Sequence, residues 1–516
     1  MSQRSRTVAI VATTAASVVA RCSALASQAI VGIYLSEEEV GTYALAIGIV
    51  GVTGLWRSGG STLVLPSIKP EEYDRWAGAM FWWATAFMGF SALLTVGAAG
   101  LIPSLPDTMA AYRTGGLPVA LLVMAVRLLL MPVAVVGRMR VAVEHRFVPL
   151  ARVDTLNAIA RLAITWWVAA AGGGVLALAI PYAAQAAVDA IAAGLLGGLR
   201  RADFRWPRMP LRDIARIMAW PIAAAMMMSM RADVSFLVIG LLIPAAALGA
   251  FYFAFQLANQ PSMLLAGSLQ NVLAPILARA RGNADAERDG IERVFNASML
   301  FVPVATLATA NLFPPAERLV WGGKWADVST GMYFLCIGAT YATVTGLMVG
   351  PLLGLQRFKA VTGFEAFKIF GTIGGALVGA GVIAVAATSD RPASTITLMC
   401  AAVGMTIAVT SVIQLAWIMN RYRVAKSATW RAMAYGPTLA MLTALASDSI
   451  GDSIMDSFGL PGGRLGAAIE LAVIGTVYAA LTMLAIRFTA ESTLRETVKI
   501  LPGPAARVLT RIFGLG

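Results

Sequence analysis

Long runs of apolar residues, separated by short polar stretches, cover almost the whole chain. A helix that crosses a membrane needs about 20 mostly apolar residues, and fourteen runs reach that length. They lie at about 8–35, 41–66, 76–102, 116–137, 147–171, 174–199, 215–243, 246–278, 291–313, 329–354, 358–387, 394–419, 428–447 and 465–487. The pattern predicts an all-α integral membrane protein with about 14 transmembrane helices.

The chain also repeats itself at an offset close to 210 residues. The motif Val40–Tyr43 opens the second run, and the similar motif Leu248–Phe251 opens the eighth run 208 residues later. Three further pairs recur at offsets of 209, 210 and 211 residues. We expect two six-helix pseudo-repeat lobes around a central cavity plus two C-terminal helices. Transporters built from such repeats bind their substrates at the repeat interface.

The repeat and the charges together predict the domain order and the orientation. The expected parts are an N-lobe over 1–199, a basic cytoplasmic linker over 200–214, a C-lobe over 215–419, two helices over 420–488 and an amphipathic tail over 489–516. With the N-terminus inside, 28 of the 40 Lys and Arg residues lie at cytoplasmic ends, 5 in outer loops and 7 within helices. Because positive residues favour cytoplasmic loops, we expect both termini in the cytoplasm. The tail is typical of a helix on anionic inner-leaflet lipid or of an ordinary positive flank.

Six basic residues interrupt the apolar runs far from their ends. They are Arg21, Arg57, Arg127, Arg161, Arg231 and Lys368. One such residue at the bilayer centre costs about 2.5–3.5 kcal/mol when it faces lipid. We therefore expect most of them to line a wet cavity that binds an anion. The main candidates for that role are Arg21, Arg57, Arg231 and Lys368. For Arg127 and Arg161 a structural role is as good an interpretation.

Acidic and amide side chains lie within the same runs. The acids that could pair with the cations, or couple transport to an ion, are Asp154, Asp189, Asp233 and Glu365. Lys368 follows Glu365 by three residues, so these two can pair on one helix face. The amides that could contact a sugar are Gln256, Asn259, Gln260, Gln270 and Asn271. Hydrogen bonding between helices is an equally good interpretation of these amides.

Composition excludes several classes of protein. The chain is 58% hydrophobic and 13% charged, with a mean hydropathy of +0.75, whereas soluble domains carry about 25% charged residues. The net charge of +13 is distributed by loop side, so nucleic acid is not an expected partner. One histidine and three separated cysteines offer no metal site, and the sequence has no ATPase motif. We expect no catalytic residues, no cofactor, and coupling to H⁺, Na⁺ or the membrane potential.

Two segments carry a resemblance to a known family. They are Leu248–Ala254 continuing through Val272–Ala278, and the turn Trp321–Trp325 after the ninth run. With the helix count, they resemble the bacterial polysaccharide flippases (Wzx-type) of the multidrug/oligosaccharidyl-lipid/polysaccharide (MOP) superfamily. In a lipid II flippase of that superfamily, arginines of the first, second and eighth helices bind the diphosphate. The resemblance implies this role for Arg21 and Arg57, with Arg231 of the seventh run as a substitute for the third.

The resemblance implies a transporter rather than an enzyme. It would flip undecaprenyl-diphosphate-linked oligosaccharide repeat units from the cytoplasmic to the periplasmic leaflet by alternating access, for capsule, exopolysaccharide or O-antigen. A gradient-driven multidrug or cation antiporter of the same superfamily is one alternative, although it favours an acidic cavity. A membrane polysaccharide polymerase or glycosyltransferase is another, although the longest outer loop, about 17 residues, is short for one. We expect a monomer in the bacterial inner membrane, with a polymerase and chain-length machinery as candidate partners.

Overall fold

The computed structural model describes most of the chain. The described residues are 3–54, 72–104, 109–206, 211–261, 284–354, 358–386, 392–458, 463–491, 493–495, 510, 511 and 513. Every regular element within these ranges is helical. The long helices are α1 (Gln3–Tyr34), α2 (Glu37–Thr53), α3 (Tyr73–Leu101), α4 (Leu117–Val143), α5 (Phe147–Ala170), α6 (Leu176–Leu195), α7 (Leu211–Gly240), α8 (245–261), α9 (Ala284–Val320), α10 (Ser329–Gly354), α11 (Phe358–Ala386), α12 (Pro392–Arg421), α13 (Lys426–Phe458) and α14 (Arg464–Thr489).

Many of these helices suit a lipid bilayer. Nine helices in the described ranges are long and apolar enough to cross a membrane, or ten if two pieces of α7 that meet at 49° count as one span. This confirms a multi-pass, all-helical membrane protein. The count of fourteen crossings stays a prediction, since α5 and α13 carry many polar and charged residues. The described range that contains α2 ends at residue 54, and the one that contains α8 ends at residue 261.

The helices form two compact units. The first unit comprises Met1–Phe253 and Phe358–Ile373, and the second comprises Ala254–Arg357 and Gly374–Gly516. These units differ from the lobes expected from the repeat, because α7 packs along α2 and so belongs to the first unit. The lobe boundaries at 199 and 215 therefore stay a prediction from the sequence repeat.

Within the first unit, α1 packs on α5, α4 packs on both α3 and α6, and α5 packs on α6. An apolar core forms where α3 and α4 meet the start of α7, with Tyr73, Met80, Val136 and Met218 all buried. The Tyr73 hydroxyl donates a hydrogen bond to the Val136 carbonyl oxygen at 2.8 Å. These contacts join three helices at the end of the unit that the charge bias predicts to face the cytoplasm.

The expected linker is partly folded and docked on the first unit. A short 3-10 helix, Arg201–Phe204, follows α6, and the indole nitrogen of Trp82 donates to the Phe204 carbonyl oxygen at 3.1 Å. Arg140, buried in α4, pairs with Asp203 of this segment and with Asp74 in the first turn of α3. The hydrogen bond from Arg140 lowers the pKa of Asp74, whereas burial raises the pKa of Asp203. We call these contacts the linker clasp.

The second unit packs around α9, which contacts α10, α13 and α14. Buried polar groups tie these helices together: Asn311 hydrogen-bonds Ser447 at 2.8 Å, and the Tyr478 hydroxyl donates to the Val304 carbonyl oxygen at 2.8 Å. The few described residues of the expected tail also belong here. Leu494 and Phe513 bury their side chains in a cluster with Leu300, Ile486 and Ala490.

Candidate functional site

Two of the six intramembrane cations converge on one aromatic ring. The guanidinium carbon of Arg127, from α4, lies 5.3 Å from the centroid of the Tyr182 ring of α6. The guanidinium carbon of Arg161, from α5, lies 4.9 Å from the same centroid. The two guanidinium carbons are therefore no more than about 10 Å apart. From the sequence alone, a structural role was as good an interpretation as a binding role for these two arginines.

Two further tyrosines extend this group. The Tyr43 ring of α2 stacks on Tyr182 with centroids 6.5 Å apart and meets the Tyr252 ring of α8 edge-on at 5.8 Å. Tyr43 is only 1% exposed, and its hydroxyl has no hydrogen-bond partner among the described residues. We call Arg127, Arg161, Tyr43, Tyr182 and Tyr252 the Arg–Tyr cluster.

The cluster lies at one consistent depth along its helices. Its members stand six to ten residues from one end of their helices, the end where α2 begins and α5 finishes. At 1.5 Å per residue this places them roughly 9–15 Å below that end. A hydrocarbon core is about 30 Å thick, so in helices that span it from that end the cluster would lie between the surface and the middle of the membrane.

The chemistry of this group suits an anion. An aromatic face attracts a guanidinium by roughly 0.5–2 kcal/mol, which holds each arginine in place without neutralising it. Within the described part of the chain, no carboxylate pairs with Arg161. Arginine binds phosphate bidentately through its planar donor fork, and the buried Tyr43 hydroxyl offers one more hydrogen bond. The cluster can therefore hold a phosphate-bearing group at depth.

Two of the acids expected near the cations have a partner that was not expected. Asp154 and Asp189 both pair with Arg138 of α4, each with an N–O distance of 2.5 Å, and the Asn157 amide donates to Asp189 at 2.8 Å. The sequence assigned Arg138 to a loop, because the predicted helix ended at 137. Helix α4 continues to Val143, so Arg138 faces these acids from the last turns of the helix.

Replacing Arg138 with methionine should destabilise the protein. The change leaves Asp154 and Asp189 side by side with no compensating charge, and loss of one partner of a buried ion pair costs about 3–5 kcal/mol. We expect the lower end of this range, because Asp154 is partly exposed. Thermal unfolding of the detergent-purified protein measures the loss. Adding Asp154→Asn should restore part of it, and Arg152→Met, at an exposed position of α5, is the control.

Other expected site residues are placed individually. Arg21 is half-buried in α1, and Asp233 is half-buried in α7. Glu365 and Lys368 lie one turn apart on α11, and each is 2% exposed. For Arg231 the structure describes only the backbone, within α7. Arg57 lies outside the described residues, so its role stays a prediction.

The amides expected to contact sugar lie in α8 or beyond it. Gln256, Asn259 and Gln260 are half-buried. The Asn259 amide donates to the Phe255 carbonyl oxygen at 2.7 Å, one turn earlier in its own helix. Gln270 and Asn271 fall outside the described ranges. A sugar-binding role for these five residues stays a prediction.

Sequence reasoning missed the tyrosines and Arg138. Tyr43 stands in the repeated motif at the start of α2, where it served only as a marker of the repeat. Tyr252 stands in the segment Leu248–Ala254, where it served only for the family resemblance. Tyr182 carries no sequence signal, because cation–π contacts between helices distant in sequence follow no spacing rule. The energetic cost of a cation in lipid did identify Arg127 and Arg161 as candidates.

Comparisons with known proteins agree on the fold. A model of the polysaccharide biosynthesis protein family matches residues 30–330. A structure of the lipid II flippase MurJ in an inward closed conformation aligns with a TM-score of 0.61 and 10% identity, covering 93% of this chain and 99% of that chain. Inward-facing and outward-facing structures of a multidrug resistance MATE family transporter of the MOP superfamily both align with TM-scores of 0.50 and 15% identity. They cover 78% and 81% of this chain, and 95% and 96% of their own. No curated protein matches the sequence. The expected MOP-type fold is confirmed.

Proposed function

We propose that this chain, which belongs to the polysaccharide biosynthesis protein family, is a transporter for a lipid-linked saccharide. It moves undecaprenyl-diphosphate-linked oligosaccharide repeat units from the cytoplasmic to the periplasmic leaflet of the bacterial inner membrane, for surface polysaccharide. The observation that carries the proposal is the convergence of Arg127 and Arg161 on Tyr182 within the membrane helices of the first unit.

A diphosphate needs such a group because it cannot cross hydrocarbon unaided. Charged groups in the bilayer interior are tolerated when they pair or line a polar cavity. Two arginines at one depth supply charge-assisted hydrogen bonds to the phosphate oxygens. We assign Arg21, Arg57, Arg231 and Lys368 to further contacts with the same anion along its path. The MurJ neighbour, a lipid II flippase by name, supports a substrate of this kind.

The charge of the cluster also weighs against the antiporter alternative. A site that binds cationic drugs is better served by carboxylates, whereas Asp154 and Asp189 are both engaged by Arg138. The cluster offers two guanidinium groups, and none of its five members is an acid. We therefore favour an anionic substrate, and a cation-exporting activity becomes one outcome of the test below.

Reconstituted vesicles separate these functions. The full chain would be placed in liposomes with a fluorescent undecaprenyl-diphosphate-linked oligosaccharide, the same oligosaccharide on a neutral lipid, and a cationic dye. We expect the diphosphate-linked lipid to change leaflet in proteoliposomes but not in protein-free vesicles. Both preparations are measured with and without an imposed H⁺ or Na⁺ gradient. Equal movement of the neutral glycolipid would show that transport does not depend on recognition of the diphosphate. Movement of the dye alone would favour the antiporter.

A further inference from the structure

Helices α2 and α8 touch backbone to backbone at two glycines. A Cβ atom built on Gly41 would lie 1.8 Å from the Ala245 carbonyl oxygen, and one built on Gly249 would lie 1.9 Å from the Glu37 carbonyl oxygen. Distances below 3.0 Å leave no room for any side chain. Small residues permit this close approach of membrane helices. We call this contact the glycine crossing.

The glycine crossing is symmetric with respect to the sequence repeat. Gly249 follows Gly41 by 208 residues, and Ala245 follows Glu37 by the same 208 residues. Each glycine therefore faces the residue one turn before the other glycine. Contact between equivalent positions of two related parts is the signature of an approximate two-fold axis through the contact. The crossing is thus built from both copies of the repeated motif.

Glycines continue the contact along α2. A Cβ on Gly48 would lie 2.4 Å from the Leu237 backbone nitrogen, and a Cβ on Gly51 would lie 2.1 Å from the Asp233 Cβ. Three positions of α2 therefore need glycine to let α7 and α8 close against it. Because glycine has no side chain, none of these three residues interdigitates with the partner helices. Separation of the helices therefore breaks no side-chain packing at these points.

The crossing is joined directly to the Arg–Tyr cluster. Tyr43 follows Gly41 by two residues and Tyr252 follows Gly249 by three, and their rings meet edge-on at 5.8 Å. Tyr43 also stacks on Tyr182, the ring that both arginines contact. Its buried hydroxyl has no partner in the described part of the protein, so a polar group that enters the cluster would find a donor there.

We propose that the glycine crossing is the gate that closes the Arg–Tyr cluster from the end of the first unit where α2 begins. The charge bias predicts that this end faces outside. The proposal rests on the proposed transport function, since only a transporter needs the cluster to open there. The described state is the closed one: α2 and α8 must part at Gly41 and Gly249 before a bulky headgroup can leave. A side chain at either glycine keeps the helices apart and the gate open.

Labelling of a buried cysteine from outside intact cells tests the gate without any substrate. The reporter is Ala186→Cys, one turn from Tyr182 on α6 and 3% exposed, in a Cys22→Ser background that retains the buried Cys336 and Cys400. The gate variants replace Gly41 or Gly249 singly, first with alanine and then with valine. The matched controls are Gly89→Ala and Gly97→Ala in α3, where an added Cβ meets nothing within 4 Å.

We expect a membrane-impermeant maleimide to label the reporter faster in both gate variants than in both controls. A shift of the open fraction from about 1% to about 10% raises the labelling rate about tenfold. Equal rates in gate and control variants overturn the proposal. If the gate variants do not fold, the reporter cysteine in the otherwise unchanged protein tests the gate. It should be labelled far more slowly than Ser453→Cys, at an exposed position of α13. Equal rates for these two cysteines also overturn the gate.

The labelling result is independent of the substrate. Faster labelling in the gate variants together with no lipid movement in proteoliposomes would retain the gate and reject the proposed substrate. Movement of the diphosphate-linked lipid together with unchanged labelling would retain the function and reject the gate.

Discussion

Cells in which Arg127 and Arg161 are both glutamine should make little or no surface polysaccharide, although the protein reaches the membrane in normal amounts. A hydrogen bond to a charged group contributes about 1.5–3 kcal/mol, and every 1.4 kcal/mol is a factor of ten in affinity. Each single substitution should therefore weaken binding of the diphosphate about 10- to 100-fold. The double substitution should weaken it about 10²–10⁴-fold, which leaves too little bound lipid to sustain synthesis.

The readout is the surface polymer together with the lipid-linked oligosaccharide extracted from the cells. We expect the intermediate to accumulate in the inner leaflet when the two arginines are replaced. Arg152→Gln is the matched control, because it removes an arginine from an exposed position of the same helix, α5. Normal polymer in the double variant would show that the Arg–Tyr cluster does not hold the substrate.

The same measurement decides the role of the other cations. We expect Arg21→Ala, Arg57→Ala and Arg231→Ala to reduce the polymer as well, because the family resemblance places these residues on the path of the diphosphate. If polymer is normal after all three changes and lost after the cluster changes, the Arg–Tyr cluster alone holds the anion. The converse result would return the site to the residues favoured by sequence.

Replacing Arg140 with alanine should cause the largest loss of stability of any change in the first unit considered above. Arg140 is 2% exposed and Asp203 is fully buried. Arg140 also donates to the Gly198 carbonyl oxygen at 3.1 Å and lies 4.9 Å from the Tyr73 ring centroid. Removing it leaves a buried carboxylate with no countercharge, which costs about 3–5 kcal/mol. We expect a clear fall in the thermal unfolding midpoint and less protein in the membrane.

Two companion variants make this result specific to the linker clasp. Arg146→Ala removes a more exposed arginine near the same end of α4. It makes a 3.5 Å contact with Glu144 and donates to the Leu196 carbonyl oxygen at 2.9 Å, but it pairs with no buried carboxylate, so its loss should change the midpoint much less. Adding Asp203→Asn to Arg140→Ala should recover part of the loss, because a neutral amide is less costly to bury than an unpaired carboxylate. An unchanged midpoint in Arg140→Ala would contradict the clasp.

Much of the fold could be predicted from the sequence, because the length of an apolar run is a strong signal in membrane proteins. Each predicted run overlaps a helix wherever the structure describes it, and the helical, multi-pass character follows from that pattern alone. The ends were less certain, since a helix continues past the apolar layer when polar side chains find partners. Helix α4 extends six residues beyond its predicted end at 137, and this extension carries Arg138 and Arg140 to their acids.

The site was harder to predict than the helices. A cation in lipid is costly wherever it lies, so Arg127 and Arg161 could be identified without knowing their neighbours. Their shared partner, Tyr182, could not, because which helices pack together is decided by tertiary contacts. The repeat did indicate Gly41 and Gly249 as equivalent positions. It could not show that these two glycines touch each other.

The linker clasp has a consequence for limited proteolysis. The segment from Arg200 to Trp206 contains three arginines and by composition would be the first place to expect trypsin to cut. Proteases need an exposed backbone that can unfold locally into their active site. Here the Phe204 carbonyl is held by Trp82, and Asp203 is buried. The basic stretch should therefore resist trypsin for as long as Arg140 holds it, and cleavage there would report that the clasp has opened.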